Sequence, residues 1–550
     1  MRKAVNRKEN MESVAESFLS FFEYLLNGLL IVYMFLILVV MPFYFTNGYA
    51  SIGTDKANFF RQASLKTGML LVPVFVIDIV FRTVVYFQKR KGAGEAATKK
   101  VLDTQGLWRF VKSRFSLTDG FVILFTVSLL LSYGFSDYKE QTLWGAQGWY
   151  IGLLPQLFGC ILYFLISRAW RPGKWMVYLI LPVSAVVFVL GYLNRFEIRP
   201  IQMTACNPGF ISTIGNINWY CGYLVTVLFG GVMLLWKGEW ERRWQKQLLV
   251  LYVGIGFASL VTQGSASGLF TLVIMLLVMV VLSAADGRSM QSFLGIMMIL
   301  SLACLVTYVI RQLFPLQINF HDGLMDTFTN SWFVICLTIV SFLLWRAVSL
   351  LNILGKYPLK AGKGFARVVI LLGLTALAGY FILLVINTCF PGKLPFLSGK
   401  AAFTFNESWG SSRGATWRAG AGCFGEQDLL HKLFGVGPDG MSAFLYDKGS
   451  EELKQLVKTV FGSAVLTNTH NEWLTVLVNE GVFGLFAYSG MICTAIVRYI
   501  RAGKTKLMAA FGGFCLLAYT INNVFSFQQS MNLATLFVIF GISEAFMRRN

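Results

Sequence analysis

Long apolar segments alternate with shorter polar segments along most of this 550-residue chain. Many of the apolar segments approach 20 residues, which is the length that an α-helix needs to cross about 30 Å of hydrocarbon. Within lipid, only helices or closed barrels satisfy every backbone hydrogen bond. The pattern therefore predicts an all-α polytopic membrane bundle of about 14 spans. Their predicted bounds are Phe22–Phe45, Gly68–Phe87, Gly120–Phe135, Trp149–Ile166, Trp175–Leu193, Trp219–Trp236, Leu248–Thr262, Gly268–Ala284, Phe293–Ile310, Trp332–Val348, Val368–Thr388, Gly481–Ile500, Leu507–Asn522 and Met531–Met547.

One long polar segment divides this pattern into three parts. Residues 1–388 form the bundle of spans one to eleven, residues 389–470 form a large extracytoplasmic loop, and residues 471–550 hold an interfacial helix and the last three spans. A single helix from His470 to Ile500 would be about 46 Å long, too long for one upright crossing. We expect a short interfacial helix to end near Glu480, with Gly481 and Gly484 permitting a kink before the crossing.

Charge and hydropathy give the membrane placement. The net charge is +20, 56% of the residues are hydrophobic, and the mean hydropathy is +0.62. Most Lys and Arg residues fall in segments that the alternating threading places on the cytoplasmic side. This bias predicts a multi-pass protein of the plasma (inner) membrane with both termini in the cytoplasm. The same bias accounts for the basic net charge, because the cytoplasmic loops of membrane proteins are rich in Lys and Arg. We therefore expect membrane lipid, and no nucleic acid, as a partner.

Neither the cysteines nor the charged pair in the second span predicts a metal or catalytic site. Most of the nine cysteines lie in apolar segments, and none forms a pair with the spacing of a metal site. We therefore expect no metal and no cofactor. Cys206 and Cys423 fall in loops predicted to lie outside, where pairing stays open. Arg82 follows Asp78 by four residues, which predicts an ion pair on one face of the second span.

Several cationic side chains are predicted on the outer side, where short loops usually exclude them. Arginine binds phosphate oxygens with two parallel hydrogen bonds, and a histidine at a helix start is able to act as a general base. Loop solvation and helix capping are the alternatives for each of them. These residues are His321, His431, His470, Arg195, Arg199, Arg311, Arg413 and Arg418.

The long loop has its own predicted organisation. An amphipathic helix is predicted to start at Trp409, a glycine-rich turn occupies Leu433 to Gly440, and a surface helix is predicted from Ser442 to Val460. The glycine turn lacks the Gly-Lys-Ser/Thr ending of a phosphate loop.

Four patches of sequence carry a resemblance to a known family. They are Gly215 to Leu224, which begins Gly-Asn-Ile-Asn, then Thr262-Gln263-Gly264-Ser265-Ala266-Ser267-Gly268, Arg413 to Trp417 with Gly435-Val436-Gly437-Pro438, and Thr469-His470-Asn471-Glu472-Trp473-Leu474 with Glu480-Gly481-Val482-Phe483-Gly484-Leu485. With these patches the chain, from about Asp119 onward, resembles the O-antigen ligase and O-antigen polymerase superfamily of bacterial membrane glycosyltransferases. The fourth patch is the most specific.

The resemblance implies a metal-independent enzyme at the outer face of the membrane. Its donor would be an oligosaccharide on a polyprenyl diphosphate, and its acceptor a glycan or glycolipid hydroxyl. In this chain His470 would activate or orient the acceptor, and Arg413 would hold the diphosphate. The residues expected to bind substrate are Asn218, Ser265, Ser267, Arg311, Arg418, Asn471 and Glu480.

The chain departs from the family in the second patch. The family has Ser-Arg-Gly there, with an arginine that also serves the diphosphate, whereas this chain has Ala266. Either another outer arginine replaces it, with Arg311 the nearest candidate and Arg195 or Arg199 next, or activity is altered or absent. The chain is also longer than usual before Arg413, so the tenth span, the eleventh span or both are candidates for an insertion.

Several functions remain open on this sequence. The enzyme would either polymerise repeat units or ligate a finished glycan, and polymerisation is slightly favoured because no dedicated acceptor site is identifiable. A transporter or lipid-linked glycan flippase without catalysis is the main alternative, and a catalytically degenerate family member with a binding role is the third. Convergence of Arg413 and His470 on one outer cavity would favour the enzyme, and wide separation the transporter.

Overall fold

The computed structural model describes residues 2–91, 115–315, 323–355, 361–397 and 399–549, so His321 lies outside the described residues. Almost all regular structure is helical. The α-helices are α1 (Arg2–Phe35), α2 (Gly48–Lys91), α3 (Leu117–Phe135), α4 (Lys139–Trp144), α5 (Leu153–Ala169), α6 (Lys174–Asn194), α7 (Ile217–Lys237), α8 (Arg243–Leu260), α9 (Ala266–Ser283), α10 (Gly287–Leu313), α11 (Gly323–Thr329), α12 (Phe333–Leu354), α13 (Gly362–Cys389), α14 (Trp409–Glu426), α15 (Leu429–Phe434), α16 (Met441–Asp447), α17 (Glu451–Phe461), α18 (Glu472–Arg501), α19 (Leu507–Asn522) and α20 (Ser530–Arg548). A two-residue hairpin pairs β1 (Phe210–Ile211) antiparallel with β2 (Gly215–Asn216).

The lengths of these helices confirm a helical, membrane-integral architecture. Within the described residues, eleven helices are long and apolar enough to cross a membrane, and α5 and α19 are shorter apolar helices. Every one of the predicted apolar segments overlaps a helix. The number of crossings itself stays a prediction.

Helix α7 lies at the centre of the bundle. All of its most apolar 18-residue window is buried, compared with 17% for α12 and 6% for α13. Glycines let neighbouring helices approach α7 closely, as small residues do in membrane bundles: Gly230 meets Phe511 of α19, and Gly231 meets Tyr252 of α8. Helices α12 and α13, the candidates for an insertion, are thus peripheral to this core.

Ion pairs tie the helices together at one end of the bundle. Asp119, at the start of α3, pairs with Arg168 at 3.1 Å and also with Arg548. Arg498 pairs with Glu544 at 2.9 Å, joining α18 to α20. This end is the one where the threading predicts cytoplasm.

The predicted pair in the second span is present. Arg82 Nε donates to Asp78 Oδ2 at 2.8 Å, and Glu23 of α1 lies 3.6 Å from the same guanidinium. The pair therefore also joins α2 to α1.

The long loop folds onto the opposite end of the bundle. Its helices enclose a small apolar core that includes Cys423, Val436 and Leu445. The glycine-rich turn is hydrogen-bonded to α18, with Val436 N donating to Val478 O at 3.2 Å and Gly437 N donating to Asn479 O at 3.0 Å. The loop is thus packed against the start of α18.

Two predicted features of the loop are wrong in detail. The backbone of Gly410 to Ser412 has positive φ values, so regular α-helix begins at about Arg413 rather than at Trp409. The helix predicted from Ser442 to Val460 is two helices, α16 and α17, because residues 448–450 are not helical. Cys206 and Cys423 are both free, the first exposed and the second buried.

Candidate functional site

The segment before α18 is held in place by its own polar side chains. Asn471 caps α18 by accepting from Leu474 N at 3.1 Å, and Asn468 Oδ1 accepts from His470 N at 3.0 Å. Thr416 of α14 donates to Thr469 O at 2.7 Å. His470 has a φ of +52°, a left-handed conformation that is uncommon outside glycine. Contacts from both sides thus fix a strained backbone that presents the His470 side chain.

The imidazole of His470 packs edge to face on Phe527, with ring centroids 4.7 Å apart. Part of the residue stays exposed, while Nδ1 is buried and has no hydrogen-bond partner among the described residues. Burial, and then the charge of Arg413, lower the pKa of His470 to about 4. The imidazole is therefore neutral at pH 7, and an anion bound nearby would raise its pKa.

Arg413 is buried without a carboxylate partner in the described part of the chain. Its Nε donates to Phe525 O at 2.8 Å, and its Nη1 donates to Gly410 O at 2.6 Å. Burial lowers the pKa of this guanidinium, but arginine stays charged at neutral pH. A cation compensated only by carbonyl dipoles is a favourable place for an anionic group.

A short segment between α19 and α20 brings these two residues together. Phe525 accepts from Arg413, and its ring stacks on Trp417 at 5.8 Å with an interplanar angle of 13°. Two residues later, Phe527 contacts the His470 ring. No sequence motif marked this segment as part of the site. Its only signal is the run of amides and aromatic residues between two apolar spans.

The first two sequence patches meet beside Arg413. Ser265 Oγ donates to Asn218 Oδ1 at 2.8 Å and lies 2.8 Å from Ser267 Oγ. Ser267 Oγ in turn lies 3.7 Å from the thiol of Cys221. Phe270, in the same helix α9 as Ser267, packs on Phe525 at 4.9 Å, and Phe525 O accepts from Arg413. The elements that carry Asn218, Ser265 and Ser267 therefore contact the segment that joins Arg413 to His470.

Arg195 lies against the turn that precedes Ala266. Its Nη1 donates to Pro208 O at 3.0 Å, its Nη2 donates to Gln263 O, and its Nε is buried without a partner among the described residues. Burial lowers the pKa of this guanidinium to about 10. Ala266 itself is exposed at the start of α9, and Arg195 lies beside the turn that leads to this position.

The other two arginines considered as replacements have carboxylate partners. Arg311 is buried and pairs with Asp326 at 2.7 Å. Arg199 pairs with Glu197 at 3.3 Å. These contacts favour Arg195 over Arg311, in contrast to the ranking from sequence.

Arg418 and Asn471 have local partners of their own. Arg418 pairs with Glu407 on the exposed side of α14, and Asn471 serves as the α18 cap described above. Neither contact requires a substrate.

A small polar cavity lies next to His470, on the far side of Asn468 and Phe527. It has a volume of about 30 Å³, and a water needs ~10–15 Å³ of such volume. Three buried carboxylates line it: Asp439, Glu472 and Glu480. Glu480 Oε1 accepts from Gln156 at 3.3 Å, while its Oε2 has no partner among the described residues. Asn468 and Phe527, which both contact His470, are among the other lining residues.

Asp439 was not recognised from sequence. Its Oδ2 accepts from Ala146 N at 2.7 Å and from Ile151 N at 3.2 Å, which anchors the loop to the start of α5. Burial raises the pKa of this carboxyl to about 7. In the described residues, no set of three His, Cys, Asp or Glu side chains is arranged to hold a metal ion.

Neither the protein-family models nor the curated proteins contain a match to this chain. The site therefore has to be interpreted from its own geometry.

Proposed function

We propose that this protein is a membrane glycosyltransferase that transfers an oligosaccharide from a polyprenyl diphosphate to an acceptor hydroxyl at the outer face of the membrane. The observation that carries the proposal is the convergence of Arg413 and His470 on the segment Phe525–Phe527. One supplies an uncompensated cation and the other a neutral imidazole, which are the two groups that such a transfer requires.

Arg413 and His470 would act on opposite sides of the anomeric carbon, one on the leaving diphosphate and the other on the acceptor hydroxyl. The acceptor oxygen would attack the anomeric carbon as the bond from that carbon to the diphosphate breaks. Arg413 would stabilise the charge that develops on the diphosphate, and His470 would take the hydroxyl proton. Binding of the anionic donor would offset the Arg413 charge, and so raise the basicity of His470 when substrate is present.

The hydroxyl cluster extends this site. Asn218, Ser265 and Ser267 are linked by hydrogen bonds, and Phe270, in the same helix as Ser267, packs on Phe525, which accepts from Arg413. Amide and hydroxyl groups of this kind suit recognition of sugar hydroxyls or diphosphate oxygens. The transporter alternative expects wide separation of Arg413 and His470, so their proximity favours catalysis.

Reconstituted protein tests the proposal. Proteoliposomes would receive a polyprenyl-diphosphate oligosaccharide alone, and product lengths would be read on a gel. We expect a ladder of products from wild type and none from His470→Ala, because the variant has no group to accept the proton. His431→Ala is the matched control, since His431 pairs with Asp428 elsewhere in the loop.

Arg413→Lys should also lose the ladder, because a point charge does not reproduce two parallel hydrogen bonds. Arg288→Lys, an exposed arginine at the start of α10, controls for the substitution itself. A wild-type ladder in both His470→Ala and Arg413→Lys would overturn the proposed site. If wild type makes no ladder, supplied acceptors would test ligation, and failure with every acceptor would reject the enzyme.

A further inference from the structure

A groove between α2 and α5 lies at the same end of the bundle as the candidate site. Its upper part is a pocket of about 130 Å³ lined by polar and aromatic side chains that include Asn58, Arg61, Trp144 and Tyr150. Its lower part is an apolar cleft of about 200 Å³ between the same two helices. Phe158 lines both parts, so the two parts of the groove adjoin at this side chain.

Helical spacing places residues of both parts of the groove on one face of α2. Asn58, Arg61, Leu65, Gly68 and Val72 follow one another at intervals of three or four residues, so they share one face of α2. Gly68 has open space where a side chain would project. The missing side chain keeps the cleft open between the helices.

The lower part of the groove lies at the depth of the hydrocarbon. Exposed apolar side chains on α2 begin at Met69 and continue to Val84. Arg61 is eight residues earlier, which is about 12 Å along the helix axis. The groove therefore joins an apolar cleft to a cation at the membrane surface, which matches a lipid chain with an anionic head group.

The guanidinium of Arg61 lies 4.0 Å from the centre of the Trp144 ring. Among the described residues, no carboxylate forms an ion pair with it. Its side chain is exposed. A phosphate oxygen is the natural partner of such a planar, solvent-accessible guanidinium.

The groove reaches the candidate site through one short segment. Tyr150 lines the upper pocket, and the preceding Trp149 packs on Phe527 at 4.6 Å. Phe527 in turn contacts His470. Ser530 donates to the carbonyls of both Trp149 and Tyr150 at 2.9 and 3.0 Å, which fixes this segment to α20. Two aromatic side chains, Trp149 and Phe527, thus stand between the upper pocket and His470.

We propose that this groove binds the second lipid substrate, a polyprenyl diphosphate that carries the acceptor glycan. Arg61 takes its phosphate, and the cleft beside Gly68 takes its prenyl chain. This inference rests on the proposed glycosyl transfer, in which Arg413 holds the donor. The protein then has two lipid-diphosphate sites on either side of His470, as a polymerase with two lipid-linked substrates needs.

Native mass spectrometry of the full chain counts bound lipids directly, with sugar-free polyprenyl diphosphate as the probe. We expect two bound lipids for wild type and one each for Arg61→Gln and Gly68→Leu, since leucine at Gly68 fills the cleft. Gly28→Leu, which also has open space around it on a membrane helix, is the matched control and should keep two. The double variant Arg413→Lys with Gly68→Leu should bind none.

Three results would overturn the inference. Two lipids bound to both groove variants would show that the probe binds elsewhere. Equal displacement by phosphatidylglycerol would show an ordinary anionic lipid site, and equal binding of uncharged polyprenol would exclude Arg61 from head-group recognition. If the lipid counts follow the expectation but the protein makes no transfer product, the groove is sustained and the proposed function is rejected. The failure of the inference and the failure of the proposed function are therefore distinguishable.

Discussion

At the scale of single residues, the candidate site brings together Arg413 and His470, two side chains that are each able to carry a positive charge. Arg413 and His470 share one partly enclosed cluster, and no carboxylate in the described residues pairs with Arg413. Burial and the Arg413 charge keep the imidazole neutral, so this pair of side chains carries one positive charge rather than two. In the proposed transfer, an anionic donor would offset the Arg413 charge and make His470 a better base.

The lowered pKa of His470 predicts acid sensitivity. The pKa falls from 6.5 for the free side chain to about 4 in the folded protein. Stability linked to this group is therefore fully present above pH 6.5 and is lost as the pH falls through 4, by at most about 3 kcal/mol. Melting temperatures of detergent-solubilised protein from pH 7.5 to 4.5 should fall less for His470→Gln than for wild type. Parallel acid losses would contradict the lowered pKa.

The contacts of Arg195 lead to a prediction about which side chain supplies a cation beside Ala266. If Arg195 supplies the cation that the second patch lacks, Arg195→Gln should reduce transfer by about 10²-fold, the usual effect of removing one transition-state donor. Adding Ala266→Arg should restore part of the rate, because Ala266 is exposed beside the same turn. Melting temperatures separate this effect from misfolding. A double variant that folds like wild type but recovers no activity would assign Arg195 to structure alone.

At the scale of elements, the break in α18 connects the loop to the bundle. Gly481 has a φ of +72°, and a side chain there would lie within 2.4 to 2.6 Å of the backbone of Leu433 and Phe434. The break lets residues 472–480 carry Glu472 and Glu480 into the small cavity, while the rest of α18 packs on α3. The loop and the crossing helix are therefore joined by one tight contact.

Replacement of this glycine should be costly. Gly481→Ala should lower the free energy of unfolding by about 1–3 kcal/mol, because the left-handed backbone is unfavourable for alanine and the neighbouring backbone obstructs its methyl group. Transfer should fall as well, since the segment that holds His470 is attached to this joint. Gly425→Ala is the control, because Gly425 has open space around it and lies in α14. Equal melting temperatures for the two variants would contradict the tight joint.

At the scale of the whole molecule, the two ends of the bundle have different chemistry. One end holds the ion pairs of Asp119 and Glu544 with arginines of neighbouring helices. The other holds Arg413, His470, the hydroxyl cluster and the mouth of the α2–α5 groove. The threading predicts that the second end lies outside, and this orientation stays a prediction.

Thiol labelling tests this orientation. Cys206 is exposed in the segment between α6 and β1 at the site end. In a Cys389→Ser background, a membrane-impermeant maleimide should label Cys206 in intact cells, and Cys206→Ser should remove that label. An Arg288→Cys substitution at the other end should react only after permeabilisation. The reverse pattern would invert the threading and place the candidate site in the cytoplasm.

The local features of this protein followed from its sequence. The length and spacing of apolar residues predicted the helices, and the bounds of α19, Leu507–Asn522, agree at both ends. The spacing of Asp78 and Arg82 predicted their ion pair, and Gly481 predicted the break in α18. These features depend on residues within one or two helical turns, and helical periodicity makes such relations readable from the chain.

Only the tertiary structure decided which distant residues share the site. Arg413 and Phe525 are 112 residues apart, and Arg195 and Gln263 are 68 apart. Asp439 and the segment at Phe525–Gln528 carried no strong local signal, and Arg311 proved to be already paired. Such contacts depend on which helix faces fit together in the packed bundle, and this complementarity is a property of pairs of surfaces rather than of any one segment.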